Sequence, residues 1–192
     1  MGSSTRQPRR GDTRLRIQEV ALELFGEQGY EKTSLREIAE RLDVTKAALY
    51  YHFKTKEDIL VTLFEGVETP VNELIAWAKE QPRTLETKQE IIRRYGETLV
   101  RAAPVFRFMQ ENQGTVRDLK IGESFKARVL ALVDLLKDPD AKLTSHLRCF
   151  SALTTMHAGT LLLNGVEGDP EEKHAAVLEV ALDLIAQAHE NR

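Results

Sequence analysis

The chain has 192 residues, of which 42% are hydrophobic and 30% are charged, a composition typical of a globular protein. Its single cysteine, Cys149, excludes an intramolecular disulfide, and no apolar run approaches the roughly 18 residues that span a bilayer. The arginines near the N-terminus are not followed by the apolar segment of a secretory signal. These features predict a cytoplasmic protein that folds without a metal ion or a disulfide.

The net charge of −3 is unevenly distributed along the chain. The first 56 residues contain 11 lysines and arginines against 8 acidic residues, and the remaining residues contain 16 against 22. A basic head on an acidic body suggests that the head binds a polyanion. A difference of this size also arises by chance, so charge alone leaves the question open.

Hydrophobic periodicity predicts four helices in the first part of the chain. One-sided helical spacing occurs at Ile17, Val20, Ala21, Leu24 and Phe25, and again at Leu35, Ile38, Ala39 and Leu42. Gly29 supplies a left-handed residue after the first helix, and Ser34 with Glu37 has the S-x-x-E pattern of a capping box for the second. A third helix is expected to begin at Thr45, and Thr55 is expected to cap a fourth.

Longer helices are predicted for the rest of the chain. Thr69-Pro70 has the pattern of a helix cap followed by proline, so the fourth helix is expected to kink or restart there, and Pro82 and Pro104 bracket the fifth. The later helices are predicted over 85–102, 123–137, 141–163 and 171–189. The sequence shows no alternating strand pattern. The predicted fold class is therefore all-α, with about nine helices.

The second and third helices are linked by a tight turn with the sequence LDVT, residues 42–45. Such a turn needs a residue that tolerates a left-handed backbone, and aspartate is one of the few non-glycine residues that does so at low cost. Helix, tight turn and helix is the arrangement that places the second helix in the DNA major groove. A helical hairpin with no DNA role has the same spacing, so the turn alone leaves both interpretations open.

The residues of the third helix favour DNA binding. At 100° per residue, Leu49 and Phe53 share the core side, whereas Ala47, Ala48 and Tyr51 point away from it. The two alanine side chains are short, so the helix axis can approach base pairs closely on this side. The donors on its flanks that can reach phosphates are Lys46, Tyr50, His52 and, at the start of the next helix, Lys56. The alternative is that one of the two tyrosine rings belongs to the core.

Residues 33–60, TSLREIAERLDVTKAALYYHFKTKEDIL, resemble the N-terminal signature of the tetracycline-repressor (TetR) family of transcriptional regulators. The positions that fill that pattern are Thr33, Ile38, Ala39, Val44, Thr45, Leu49, Tyr50, His52, Phe53, Lys56, Glu57 and Leu60. Asp43 and Ala47 stand where the family often has glycine, and Ala47 puts the base preference in question. The resemblance implies DNA contacts from Ser34, Thr45, Lys46, Tyr50, Tyr51, His52 and Lys56, beside the methyl groups of Ala47 and Ala48.

The same resemblance implies how the chain is divided. Residues 12–55 would form a three-helix, helix-turn-helix DNA-binding head, and residues 56–192 a helical ligand-binding and dimerisation domain. Residues 1–11 would form a flexible arm with Arg6, Arg9 and Arg10. Such an arm either enters an adjacent minor groove or remains a solvated tail.

The predicted body contains candidates for an effector pocket and for a dimer interface. Aromatic and methionine side chains suit an apolar pocket, although for any one of them a place in the core is the better interpretation. The pocket candidates are Trp77, Phe106, Met109, Phe125, Phe150 and His157. The last two helices, over 141–163 and 171–189, have broad apolar faces that could form a four-helix interface with a second copy.

The sequence therefore predicts a ligand-responsive homodimeric transcriptional regulator, most often a repressor in this family. It would bind a palindromic DNA operator through residues 45–53 and change its affinity on binding a small apolar or aromatic effector. The alternative is a helical small-molecule carrier without sequence-specific DNA binding. An enzyme is not expected, because we find no nucleophile–base motif and no glycine-rich phosphate loop. No cofactor or metal ion is predicted, since His146 and Cys149 lack the spacing of a zinc site.

Overall fold

The computed structural model describes residues 10–118, 121–163 and 166–190. Within these ranges the chain forms nine α-helices and no strand, which confirms the predicted all-α class. The helices are α1 (Arg10–Gln28), α2 (Leu35–Arg41), α3 (Lys46–His52), α4 (Lys56–Lys79), α5 (Leu85–Glu111), α6 (Gln113–Asp118), α7 (Ile121–Leu136), α8 (Leu143–Leu162) and α9 (Pro170–Glu190). None of the described helices is both long and apolar enough to cross a bilayer.

Side chains next to the helix ends account for where the short helices begin. The Glu37 carboxylate accepts a hydrogen bond of 2.7 Å from the Ser34 backbone N–H, and the Ser34 hydroxyl accepts one from the Glu37 N–H, as the capping box predicts. Thr45 caps α3. Thr55 and Asp58 form a second capping box at α4, with 2.9 Å between the Thr55 nitrogen and the Asp58 carboxylate. These local bonds satisfy N–H groups that the first helical turns leave without partners.

Two turns of the head depend on left-handed residues. Gly29 has φ 92° after α1, and Asp43 has φ 55° between α2 and α3. The Asp43 turn brings the Val44 N–H within 3.0 Å of the Ala39 carbonyl oxygen. This bond fixes the direction in which α3 leaves α2, as the tight-turn interpretation requires.

The core of the head extends beyond the predicted boundary at residue 56. Its buried cluster joins α1, α2 and α3 to the first half of α4 and the last turns of α5; the long-helix members are Ile59, Leu60, Phe64, Val67, Ala102, Val105 and Phe108. The rings of Phe25 and Tyr30 lie 5.6 and 5.9 Å from that of Phe108. The head and the body therefore share α4 and α5.

Two helices continue through prolines that were expected to interrupt or end them. α4 runs through Pro70, and α5 runs through Pro104 to Glu111, so the expected restart and helix end are wrong. Each proline removes the N–H that would bond the carbonyl four residues earlier, at Gly66 and Val100. Both of these residues are exposed, which leaves their carbonyls to water. Burial on the other side of each helix holds it together across the proline.

The body has its own hydrophobic cluster, built from the second half of α4, the first half of α5, and α7, α8 and α9. One buried ion pair accompanies it. Lys88 is only 2% exposed, and its ammonium donates to the Asp138 carboxylate at 2.8 Å. The pair joins the start of α5 to the turn between α7 and α8. A buried lysine is stable in this position because a carboxylate partner compensates for its lost hydration.

A second polar pair lies in the middle of the body. The hydroxyl of the buried Tyr95 is 2.5 Å from Nε2 of His157. Burial lowers the pKa of His157 to about 4 and raises the pKa of Tyr95 above its usual range. At neutral pH the imidazole is therefore uncharged, and its Nε2 accepts a hydrogen bond from the Tyr95 hydroxyl. The pair orients α5 against α8.

We expect His157 to make the protein less stable in mild acid. Its folded-state pKa of about 4 lies below the ordinary value of about 6.5, so the unfolded chain binds a proton that the folded chain excludes. The free energy of unfolding should be fully retained above pH 6.5 and fall by up to about 3 kcal/mol between pH 6.5 and 4 from this group. Urea unfolding across this pH range measures the loss.

The matched variant is His157→Gln, which keeps a neutral hydrogen-bonding group beside Tyr95 but cannot take up a proton. Because carboxylates also titrate in this range, the informative quantity is the difference between the two pH profiles. The variant should lack about 3 kcal/mol of the acid-induced loss. Parallel profiles for the wild type and the variant would contradict the prediction.

Candidate nucleic-acid interface and effector pocket

α3 is anchored to the head on one side only. Leu49 is fully buried and Phe53 nearly so, and both belong to the head core. On the opposite side Ala47 and Ala48 are exposed, and Tyr51 is 61% exposed. The helix thus presents a face of two methyl groups beside one aromatic ring. The buried and exposed sides are those expected from the spacing of these residues.

Hydroxyl groups lie at the N-termini of both short helices. The exposed Thr45 Oγ1 accepts the Ala48 N–H at 3.1 Å, and its own proton is available to another acceptor. The exposed Ser34 Oγ occupies the equivalent position on α2 and donates to the Glu37 carboxylate at 2.7 Å. Helix N-termini attract anions, and hydroxyl and backbone N–H groups commonly contact phosphates.

The flanking donors of α3 differ in exposure. Lys46 is exposed, and its ammonium lies 5.5 Å from the centre of the Tyr50 ring. Tyr50 is half-buried and packs against the head core, so part of its ring serves the fold. The half-buried His52 ring lies edge-on to the ring of Tyr51 at 5.3 Å. Lys46 and Tyr51 are therefore the two most accessible donors among these four residues.

Lys56 has a structural bond that the sequence did not indicate. Its ammonium donates to the Tyr30 carbonyl oxygen at 2.7 Å and lies 4.3 Å from the centre of the Tyr30 ring. The Tyr30 hydroxyl in turn donates to the Glu57 carboxylate at 2.9 Å. These contacts tie the start of α4 to the loop after α1. One ammonium proton of Lys56 is used in this way, and two remain for a phosphate.

Sequence reasoning missed Lys54, which directly follows α3. It is exposed, and its ammonium donates to the Tyr50 carbonyl oxygen at 2.6 Å. A cation just after a helix stabilises the negative end of the helix dipole, and its position after α3 was the signal in the sequence. Of the predicted arm, Arg6 and Arg9 lie outside the described residues, and Arg10 is the first residue of α1.

Three of the six pocket candidates meet in the body. The ring of Phe125 lies 5.3 Å from that of Phe106 and 5.5 Å from that of His157. Phe106 packs against both the head cluster and the body cluster. We call these three residues the aromatic cluster. It brings together α5, α7 and α8, and through His157 it adjoins the buried Tyr95 hydroxyl.

The other three candidates lie elsewhere. Trp77 is in the last turn of α4, where its ring lies 3.9 Å from the guanidinium carbon of Arg94. Met109 packs against the head core. Phe150 is 46% exposed on the outward side of α8. Residue type alone could not separate these positions, because aromatic and methionine side chains occur in cores, pockets and interfaces alike.

A half-buried polar network connects α7 to α4 on either side of Phe125. Arg128 pairs with the Glu68 carboxylate at 2.9 Å and donates to the Asn72 side-chain oxygen at 2.9 Å. The Ser124 hydroxyl also donates to Glu68. Four polar side chains thus fix one face of α7 to the middle of α4, next to the helical turn that contains Pro70.

The outward face of α8 exposes a row of large apolar side chains. Leu143, Leu147 and Phe150 are 81%, 61% and 46% exposed, and their spacing of four and three residues places them on one side of the helix. On α9, Val180 is also half exposed. A contiguous exposed apolar row of this kind is typical of a surface that binds another protein.

Comparison with known proteins supports the interpretation of the head. Residues 17–63 match the family model for bacterial regulatory proteins of the tetR family. The chain is 46% identical over 63 residues to the HTH-type transcriptional regulator AcrR of Shigella flexneri, covering 33% of this chain and 29% of that protein. It is 46% identical over 44 residues to the negative transcriptional regulator IcaR of the biofilm operon icaADBC of Staphylococcus aureus, covering 23% of this chain and 24% of that protein.

The likeness to a solved structure extends over the body. A transcriptional regulator of the TerR/AcrR family from Aquifex aeolicus superposes with a TM-score of 0.67 at 25% identity, covering 90% of this chain and 99% of that one. The chain spans only 29% of the length of AcrR and 24% of that of IcaR. The part of the chain that builds the α2–α3 surface, residues 17–63, is therefore similar to the tetR family of bacterial regulatory proteins.

Proposed function

We propose that this chain is a ligand-responsive transcriptional regulator that binds a palindromic operator as a homodimer and represses transcription by occupying it. The observation that carries the proposal is the outward face of α3, where two exposed alanines lie between the exposed Lys46 and Tyr51. Small side chains let a helix approach base edges in a major groove about 12 Å wide. The carrier alternative gives this face no role.

Two copies are needed for tight binding. One head offers only a few phosphate contacts, and binding through so few contacts is weak at physiological salt. A two-fold dimer places two recognition helices in successive major grooves about 34–36 Å apart, and this symmetry requires a palindromic site. The exposed apolar row on α8, with Val180 on α9, supplies the surface that we assign to the dimer interface.

The aromatic cluster supports a small apolar or aromatic effector. Phe106, Phe125 and His157 offer ring faces and edges to such a ligand. An effector that enters among these rings displaces Phe125 and therefore moves α7. The polar network passes this movement to α4, because Arg128 and Ser124 hold Glu68 on either side of Phe125.

α4 carries the movement to the DNA-binding surface. The first half of α4 belongs to the head core. The ammonium of Lys56, at the start of this helix, donates a hydrogen bond to the Tyr30 carbonyl oxygen. A shift of α4 therefore turns the head relative to the dimer interface and changes the distance between the two recognition helices. The effector changes operator affinity only to the extent that it binds one of the two arrangements more tightly.

We expect Lys46→Ala and Tyr51→Ala to weaken operator binding without unfolding the head, since both side chains are exposed. Loss of one lysine–phosphate contact per subunit should reduce the salt dependence of log K by about two for the dimer. Tyr51→Ala should weaken binding by about tenfold or more. Fluorescence anisotropy with a duplex selected from random sequences, at several salt concentrations, measures both effects.

The control for these variants is Lys79→Ala, an exposed lysine at the end of α4 farthest from the head. It should leave the affinity and the salt slope unchanged. We prefer Tyr51 to Tyr50 for this test because the Tyr50 ring also packs against the head core. Wild-type affinity in both Lys46→Ala and Tyr51→Ala would contradict the assignment of α3 as the DNA-reading helix.

We expect Leu147→Glu combined with Phe150→Glu to produce a folded monomer. Both side chains are exposed in the single chain, so their replacement leaves the body core intact, while four buried charges would oppose pairing of two subunits. Sedimentation velocity should show the monomer mass, and operator affinity should fall by more than about a hundredfold as the second head is lost. Leu130→Glu, at an exposed position on α7, is the control and should remain dimeric. A dimeric double variant would exclude this face.

We expect reversal of one charge in the polar network to change operator affinity. Glu68→Arg and Arg128→Glu each place like charges at a half-buried contact, which pushes α7 away from α4. The double variant Glu68→Arg/Arg128→Glu restores opposite charges and should return the dissociation constant to within about threefold of the wild type. Arg101→Glu, which breaks an exposed pair within α5, is the control. Single variants with wild-type operator affinity would show that the network does not position α4.

A further inference from the structure

A cavity of 240 Å³ opens between α5, α8 and α9, and none of the three residues of the aromatic cluster lines it. Its volume corresponds to that of about eight molecules of liquid water. Most of its wall is apolar, with Leu99 and Val100 on α5, Met156 on α8 and Val177 on α9. It is therefore large enough for a short apolar chain and smaller than the pockets that hold drug-sized ligands.

A glycine on α5 shapes the cavity. A Cβ atom at Gly96 would lie 2.7 Å from the Met156 methyl carbon and 3.4 Å from Cε1 of His174. Because Gly96 has no side chain, the side chains of Met156 and His174 can approach the backbone of α5 closely. Gly96 is itself buried, so this close approach is part of the packing between the three helices.

Two side chains that can carry positive charge are the polar part of the wall. Lys173 and His174 are half-buried in the first turns of α9, and neither side chain makes a hydrogen bond or an ion pair with any described residue. Exposed carboxylates lie nearby in the sequence. The Asp169 carboxylate accepts the Glu171 N–H at 2.7 Å, and Lys173 lines the largely apolar cavity.

We propose that this cavity binds a small carboxylate with an apolar tail, the carboxylate on Lys173 and His174 and the tail between α5 and α8. A charge-assisted hydrogen bond to the Lys173 ammonium, which has no partner among the described residues, is stronger than one between neutral groups. A neutral chain leaves that ammonium without a partner, and an amine adds a second cation beside it. The proposal does not depend on operator binding, so the two can fail separately.

The test uses the full-length protein with ¹³C-labelled methionine methyl groups and three eight-carbon probes: sodium octanoate, 1-octanol and octylamine. Met156 lines the cavity, whereas Met109 packs against the head core. Octanoate should shift the Met156 resonance saturably and leave that of Met109 in place. It should also bind more tightly than either of the other two probes.

Two variants separate the head group from the tail. Lys173→Gln should weaken octanoate binding about tenfold, because one charge-assisted contact is lost, and it should leave octanol binding unaffected. Lys79→Gln is the control for this variant. Ala103→Trp adds a large ring at an exposed position of the cavity wall and should weaken octanoate binding at least tenfold, whereas Ala76→Trp, on the exposed side of α4, should not.

Several results would overturn the proposal. They are the absence of a saturable Met156 shift, octanol or octylamine binding as tightly as octanoate, and full octanoate affinity in Lys173→Gln. Methionine and amide spectra of each free variant check that it is folded. Operator binding measured on the same samples tells whether a failure at the cavity is accompanied by failure at α3.

Discussion

The burial of Leu49 and Phe53 under one side of α3 is the constraint on which the rest of the head depends. A helix of seven residues is not stable alone, so its position comes from tertiary packing. Once these two side chains are fixed in the core, the helical period sets where every other residue of α3 points. The Asp43 turn and the Thr45 cap then determine its direction and its first residue.

The continuity of α4 and α5 explains how a surface on the head can respond to events in the body. Each of these helices enters both hydrophobic clusters, and Phe106 packs against both. Separate domains joined by a linker would move independently. Here α4 and α5 instead run unbroken from one hydrophobic cluster to the other, and the hydrogen bond from Lys56 to the Tyr30 carbonyl oxygen ties the start of α4 to the head.

Features that depend on neighbours within a few residues were predictable from the sequence. The capping boxes, the left-handed Asp43 and the two sides of α3 follow from spacings of one to four residues. The helix restart expected at Pro70 and the helix end expected before Pro104 were wrong. Burial of the opposite side of each helix outweighed the local rule against proline. The ion pair of Lys88 and Asp138 joins residues fifty positions apart, and no local sequence pattern predicts it.

The candidate effector sites likewise depend on contacts between residues that are distant in the sequence. The composition of the body suggested an apolar site, but Phe106 and Phe150 cannot be told apart by residue type. One meets Phe125 and His157, and the other lies half exposed on the outer side of α8. Helix α8 carries apolar residues on both sides, so its sequence alone does not say which side faces the body.

α5 is the element at which the two proposed ligand sites meet. The aromatic cluster touches it through Phe106, and the cavity wall touches it through Gly96 and Leu99, about two turns earlier. Its last turns enter the head core, where Phe108 contacts Phe25. A ligand bound at either proposed site would act on the head through the same helix, and the two ligands would influence each other wherever both change the preferred position of α5. Such coupling is reciprocal by thermodynamic linkage, so each ligand alters the affinity of the other by the same factor.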